Sequence, residues 1–229
     1  MSWRDYWNAD TPIYVSDRHK ILHYAQIARD IVRYVPGPDA AVLDHGCGEA
    51  LSAGRVAASC AVLHLCDGAP LVRERLHDRF GTEPTVRVIA PEEVDRIGDH
   101  SLDLVVANSL LQYLSPEEFH ELVGLWRSKL KEGGRLVVAD VIPHETGPLD
   151  DVLALLRFAW AGGFLRAALV GLARTALSDY RTLRAELGLS HYGEAEMLAL
   201  LRERGFEARR ADRNMGHNPK RMTFVATVA

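Results

Sequence analysis

The sequence predicts a doubly wound α/β fold on a mostly parallel sheet, and three observations carry that reading. Apolar runs and helical segments alternate five times between residues 40 and 142, the rhythm of a parallel sheet covered on both faces. The first run, Ala40 to Leu43, ends in Asp44 and turns through Gly46 and Gly48 into a helical stretch. Strand, glycine turn and helix in that order make the corner where such sheets handle nucleotides. Two strand-like runs close the chain, Phe206 to Arg213 and Met222 to Val228, joined around Gly216 to Lys220. They read as an antiparallel pair.

Each element has a local signal. Ser16 is placed to cap a helix from Asp17 to about Val35, with Ile21, Ala25, Ala28, Ile31, Val32 and Val35 at helical spacing. Pro36-Gly37-Pro38 stops it. After the glycine turn, a helix over Leu51 to Ser59 leads to a second strand, Ala61 to Leu65, ending at Cys66-Asp67-Gly68. A helix over Pro70 to Arg79 precedes a third strand, Thr85 to Ile89, and Ala90-Pro91-Glu92-Glu93. The fourth strand is Leu102 to Asn108. Ser115-Pro116-Glu117-Glu118 combines a capping serine, a first-position proline and first-turn acids, so a helix to Leu130 follows. Gly133-Gly134 turns into a fifth strand, Arg135 to Ile142. Then the rhythm breaks. Residues 143–190 read as helices over Leu149 to Ala161, Phe164 to Leu177 and Asp179 to Leu187, before a helix over Glu194 to Arg204 that ends at Gly205.

Length and composition suit one domain spanning 1–229, with an N-terminal segment and helix at 1–38 and a helical cap at 143–190. At 229 residues and 48% apolar content the chain can bury a substantial core. A net charge of -4 and scattered arginines give no basic field for nucleic acid. Cys47, Cys60 and Cys66 are odd in number and form no CxxC pair. That argues against a disulfide framework or a zinc site and suits a reducing cytoplasm. The first seven residues hold no apolar signal core, and no uncharged apolar run approaches the roughly 20 residues of a bilayer span.

Ligands of open parallel sheets bind at the carboxyl ends of the strands. Asp67 stands at such an end, 21 residues after Gly46, the distance expected of an acid that accepts both hydroxyls of a ribose diol. The blander role is to cap the next helix. Gly46-Cys47-Gly48 lacks the third glycine of the dinucleotide fingerprint, and Asp44 just before it would repel a pyrophosphate. A cationic cofactor would meet no such obstacle.

Val42 to Ala50 resembles the first motif of class I S-adenosylmethionine-dependent methyltransferases. The resemblance runs from about residue 40 to 142, and more loosely to the closing strand pair. Asp67 matches the family's ribose-holding acid. Asp99 to Val105 resembles its lead into strand four, and Asn108 to Leu114 the segment lining the methionine end and the substrate side. Leu130-Lys131-Glu132-Gly133-Gly134 resembles its lead into strand five. The family implies a seven-stranded sheet in the order 3-2-1-4-5-7-6 with the last strand antiparallel, S-adenosyl-L-methionine as cofactor, and methyl transfer to a small acceptor. It also implies a cofactor set of Asp44, Gly46, Gly48, Asp67, Gly68, Asn108, Ser109 and Leu110. The chain departs from the pattern at Ala50, where a glycine is common, and at Ala90-Pro91, where an acid often faces adenine. Glu92 or Glu93 stands in for that acid.

Methyl transfer depends chiefly on holding two partners in line, with a base where the acceptor must lose a proton. Tyr113, His144 and Tyr14 are the candidates. His144 follows strand five directly, and Tyr14 and Arg18 are placed to close over the cofactor. His191 and Tyr192 are outsiders, His45 reads as a strand-end side chain without catalytic duty, and His144-Glu145 does not continue into a zinc-binding HExxH. The 143–190 insert, with Trp160 and Arg157, Arg166, Arg174, Arg181 and Arg184, reads as a lid over an apolar or lipid-like acceptor, an interfacial helix pair, or an ordinary cap or homodimer contact. Two rivals stand beside the methyltransferase. An NAD-dependent oxidoreductase would need the missing glycine and a Tyr-x-x-x-Lys pair, and a non-catalytic cofactor- or partner-binding protein would keep the loop alone.

Overall fold

The computed structural model describes residues 14–176 and 189–229. The expected helix over 179–187 and the aromatic residues Trp3, Tyr6 and Trp7 lie outside them. Helix α1 (Asp17–Val32) precedes β1 (Ala41–His45), α2 (Ala53–Ala57), β2 (Val62–Cys66), α3 (Pro70–Phe80) and β3 (Val86–Ile89). A 3-10 turn, Pro91–Arg96, leads to β4 (Leu102–Asn108), and a second, Leu111–Tyr113, to α4 (Pro116–Lys129) and β5 (Leu130–Val141). The cap helices α5 (Pro148–Gly162) and α6 (Leu165–Ala176) follow, then α7 (Glu194–Glu203), β6 (Phe206–Arg210) and β7 (Met222–Val228).

The seven strands form one sheet in the order β3-β2-β1-β4-β5-β7-β6. Pairings are parallel from β3 to β5, and β7 runs antiparallel to both β5 and β6. Alternate residues of the central strands face opposite layers, as the pleat requires. Val42, Leu104, Val106 and Val137 pack beneath α1, α2 and α3. Leu43, Val105, Leu136 and Val138 pack against α4 and α7. All eight are fully buried, which explains why these strands read as unbroken apolar runs.

Helix starts follow the expected chemistry. Ser16 Oγ accepts from the His19 amide, and Ser115 and Glu118 form a reciprocal capping box with Pro116 at the first position. Several boundaries differ, among them the helix after the glycine turn, which is Ala53–Ala57, and β6, which ends at Arg210; two others show their cause. Helix α1 ends at Val32, because Tyr34 donates back to the Ile31 carbonyl and tightens the chain into a turn. Strand β5 begins at Leu130, five residues before Arg135. It pairs there with Leu102, then slips register through a bulge in which Gly133 takes φ 71°. The polar Lys131-Glu132-Gly133-Gly134 stretch hides that pairing from a reading based on apolar runs.

The cap forms a small core of its own from Ala159, Phe164 and Ala168, against Val15 and Leu22. It is tied to α1 by Arg18, whose guanidinium donates to the Gly162 carbonyl. Among the described residues, no helix is long and apolar enough to cross a membrane.

One buried polar pair joins the first strand to the far layer. Trp126 Nε1 donates to His45 Nδ1 at 3.0 Å, with both rings buried. Burial pushes the His45 imidazole down to about 4, so it stays neutral and able to accept. Trp126→Phe leaves that acceptor unpaired and is expected to cost at least about 2 kcal/mol in urea unfolding, part of which returns when His45→Leu is added.

Candidate functional site

The carboxyl ends of β1, β2 and β4, the turn after β3 and helix α1 enclose a cavity of about 770 Å3. Its floor is the glycine loop. Gly46 and Gly48 hold φ of 77° and 57°, a left-handed backbone that glycine adopts without strain. A Cβ at Gly46 would lie 3.0 Å from Leu110, and one at Gly48 would lie 2.7 Å from the Tyr24 hydroxyl. Ala50, where a third glycine is common, takes φ 39° and is buried with its methyl group accommodated.

Asp67 ties this loop to β2. Its carboxylate accepts from the Gly48 amide at 2.9 Å through one oxygen and from the Ala69 amide at 2.9 Å through the other. Each oxygen keeps a further lone pair for a ligand. Burial raises the proton affinity of Asp67, against the pull of those two amides and of Arg73. Asp44 is buried beside it and is pushed up to about 7, first by burial and then by the neighbouring Asp67 charge.

The opposite wall is aromatic. Tyr14, His19, His23, Tyr24 and His217 all face the cavity. The Tyr14 hydroxyl is hydrogen-bonded to Tyr24, and burial pushes Tyr14 up to about 12. Burial, and after it repulsion by His217, push His19 and His23 down to about 4 and 3, so both rings are neutral. His217 is also lowered by burial, while Asp140 and Asp151 oppose that shift and Arg221 adds to it. The cap braces this wall. Phe158 stacks on His217 at 4.8 Å between centroids, and Phe164 stacks on His19 at 5.1 Å.

A polar network sits behind the wall. Asp140, at φ 59°, accepts from Ser109 Oγ at 2.8 Å and from Asn214 Nδ2 at 3.2 Å. Arg221 donates to Asp151 on α5 at 2.9 Å and to Gln112, a cavity residue, at 2.9 Å. Asn108 faces the cavity with its Oδ1 buried and without a partner, an acceptor that calls for a donor from a ligand.

The structure brings Asp44, Gly46, Gly48, Asp67, Gly68, Asn108, Ser109, Leu110, Tyr113 and Tyr14 to one cavity. It places three expected site residues elsewhere. His144 is more than half exposed and pairs with Glu196 at 3.2 Å. The chain beyond β5 is drawn towards α7, with Tyr192 donating its amide to the Ile142 carbonyl, so the ring follows the surface. Glu92 is exposed, and Glu93 accepts from the Ala90 amide and pairs with Arg96, while Pro91 and Asp95 of the same turn line the cavity. Arg18 serves the cap. The sequence reading does not single out His19 or His23. The spacing of His19 and His23, one turn apart on α1, was the available signal for them. His217 lies in the turn of the closing hairpin, which the sequence reads as exposed though able to rim the pocket, and the structure sets its ring in the cavity wall.

The fit to a cationic, phosphate-free cofactor is direct. Among the described residues, the cavity lining holds five carboxylates, Asp44, Asp67, Asp95, Glu118 and Glu121, and no lysine or arginine. Phosphates would find no counter-charge there.

Residues 42–134 match the family model described as a methyltransferase domain. A carboxy-S-adenosyl-L-methionine synthase of Erwinia tasmaniensis is 31% identical over 123 residues, 50% of this chain and 49% of that protein, so the match spans about half of that relative's length. Among solved structures, magnesium protoporphyrin IX methyltransferase of Synechocystis with bound S-adenosylmethionine superposes with TM-score 0.59 at 15% identity, over 99% of this chain and 89% of that one. A methyltransferase solved in complex with the Haloferax volcanii Trm112 activator gives 0.63 at 14% identity, over 100% and 98%. These likenesses show the fold. With the sheet order, the glycine loop and the family model over residues 42–134 in agreement, the chain has the α/β fold of the class I S-adenosylmethionine-dependent methyltransferases.

Proposed function

We propose that this chain transfers a methyl group from S-adenosylmethionine to the oxygen or nitrogen of a small acceptor without anionic groups, and that 143–190 serves as its substrate cap. The observation that carries the reading is the acidic lining of the cavity, free of lysine and arginine among the described residues. When bound, the cofactor supplies an activated sulfonium methyl group and a net positive charge. The same carboxylates repel a carboxylate or phosphate on the acceptor. A volume of about 770 Å3 falls within the range of roughly 300–1,000 Å3 usual for small-molecule sites.

In this reading Asp67 holds the ribose, the glycine loop admits the ligand close to the backbone, and Asp44 balances the positive charge. Tyr14 and Tyr113 stand in the cavity wall and orient the acceptor. His217 is the group best placed to take a proton, since its imidazole is neutral and Asp140 and Asp151 favour the protonated form. Mixing purified chain, cofactor and a panel of acceptors, with S-adenosylhomocysteine followed by mass spectrometry, tests the proposal. Turnover should be found with neutral hydroxyl or amine acceptors and not with their carboxylated or phosphorylated counterparts.

Three outcomes are expected. Asp67→Ala should weaken cofactor binding in calorimetric titration by at least about tenfold, and unchanged affinity refutes the ribose role. Free Asp44 titrates near 7, and a cation prefers its ionised form. Cofactor affinity should therefore rise as pH increases through 6 to 7 and level off above, whereas Asp44→Asn should bind weakly with that rise removed. His217→Phe keeps an aromatic ring against Phe158 but removes the nitrogens. It should lower kcat by about a hundredfold for an acceptor that loses a proton, with cofactor affinity retained.

A further inference from the structure

We propose that the outer face of the α5–α6 hairpin docks on an anionic lipid surface. On α5, Leu149, Leu153 and Trp160 are 78%, 52% and 76% exposed, and their spacing puts them on one stripe of the helix together with the exposed Arg157. On α6, Leu169 and Val170 are exposed between Arg166 and Arg174. Of the seven large apolar side chains exposed among the described residues, these five lie on the hairpin. An apolar cluster of this kind marks an interaction site more often than ordinary solvated surface.

Charge selects the occupant. From Val152 to Ala176 the chain carries three arginines and no acid, although acids outnumber basic residues over the whole molecule, 31 to 27. All three arginines are exposed beside the apolar stripes. Arginine, tryptophan and leucine on the open face of short helices form the pattern of a helix lying in the headgroup region, where each basic residue gains from anionic lipid. A second copy fits less well, because a two-fold contact through this face would set three arginines against three more, and the two acids of α5, Asp150 and Asp151, lie in its first turn, where they are engaged by Gly147 and Arg221. At 15 and 12 residues, α5 and α6 are too short to span a bilayer and would lie along it.

The inner face is already committed, with Phe158 and Phe164 stacked on His217 and His19, so docking needs no unfolding of the cap. The surface is independent of methyl transfer, and the vesicle assay needs neither cofactor nor acceptor. The full chain is floated with vesicles of phosphatidylcholine alone and with vesicles containing phosphatidylglycerol. Binding is expected to the anionic vesicles only and to fall at high salt. Leu153→Glu with Trp160→Glu should abolish it while circular dichroism and cofactor affinity stay unchanged. Replacing Arg157, Arg166 and Arg174 by alanine should weaken it by about a hundredfold. Failure to float with either vesicle overturns the proposal, as does equal binding by the Glu variant. A dimer in light scattering that the Glu variant dissolves, without vesicle binding, assigns the face to self-association instead.

Discussion

The site depends on one buried contact between neighbouring strand ends, the Asp67 carboxylate held by the Gly48 and Ala69 amides. This contact does two jobs. It satisfies donors that a left-handed glycine turn and a helix start would otherwise leave open, and it aims a carboxylate into the cavity without using its remaining lone pairs. The cost is electrostatic. Asp44 lies buried beside Asp67, whose charge makes Asp44 harder to ionise, while burial does the same to Asp67. The Cys66 carbonyl completes the corner by accepting from the Gly46 and Cys47 amides. The backbone of β2 and the loop after β1 are therefore hydrogen-bonded to each other, and the acid pair is pre-arranged before a cation arrives.

Backbone strain follows the same geography. Among the described residues, four non-glycine residues take positive φ, and three of them, Ala50, Ser109 and Asp140, sit at the carboxyl ends of the strands. Such conformations persist only where the surroundings over-determine them. For Ser109 and Asp140 the constraint is visible. The Ser109 amide donates to the Ala139 carbonyl, its hydroxyl donates to Asp140, and Asn214 both donates to the Asp140 side chain and accepts from its amide. Arg221 extends the set to Asp151 on the cap and to Gln112 in the cavity wall. Helix α5, the closing hairpin and the post-β4 loop thus share one hydrogen-bonded junction.

Where the sequence was legible, the reason was local. The glycine turn, the Ser115 cap and the apolar central strands each depend on residues within one element, and their order along the chain was enough for the family resemblance and with it the sheet order. Reading failed where position depends on distant packing. His144 and His217 look equivalent as loop histidines, yet α7 draws the first to the surface and the cap presses the second against the cavity. Glu93 looked like an adenine partner because it follows strand three, but its carboxylate caps the turn at Ala90. The early start of β5 was masked by a polar bulge, since hydrogen-bonded pairing leaves no apolar trace where side chains face solvent.

The two charge patterns of the molecule are opposed, and that opposition constrains how it works. Five acids are gathered at the cavity, while the covering hairpin from Val152 to Ala176 carries only positive charge, all of it turned outward. Had the cap arginines faced inward, they would have neutralised the acids and removed the preference for a cation. Phe158 and Phe164 occupy the inward positions instead, so α5 and the turn after it add apolar surface to the wall and no charge. Low dielectric at that wall strengthens the field of Asp44 and Asp67 on a bound cation. The same packing that shields the cavity leaves the hairpin's apolar stripe and its arginines available on the other side, so one pair of helices serves two surfaces of opposite electrostatic character.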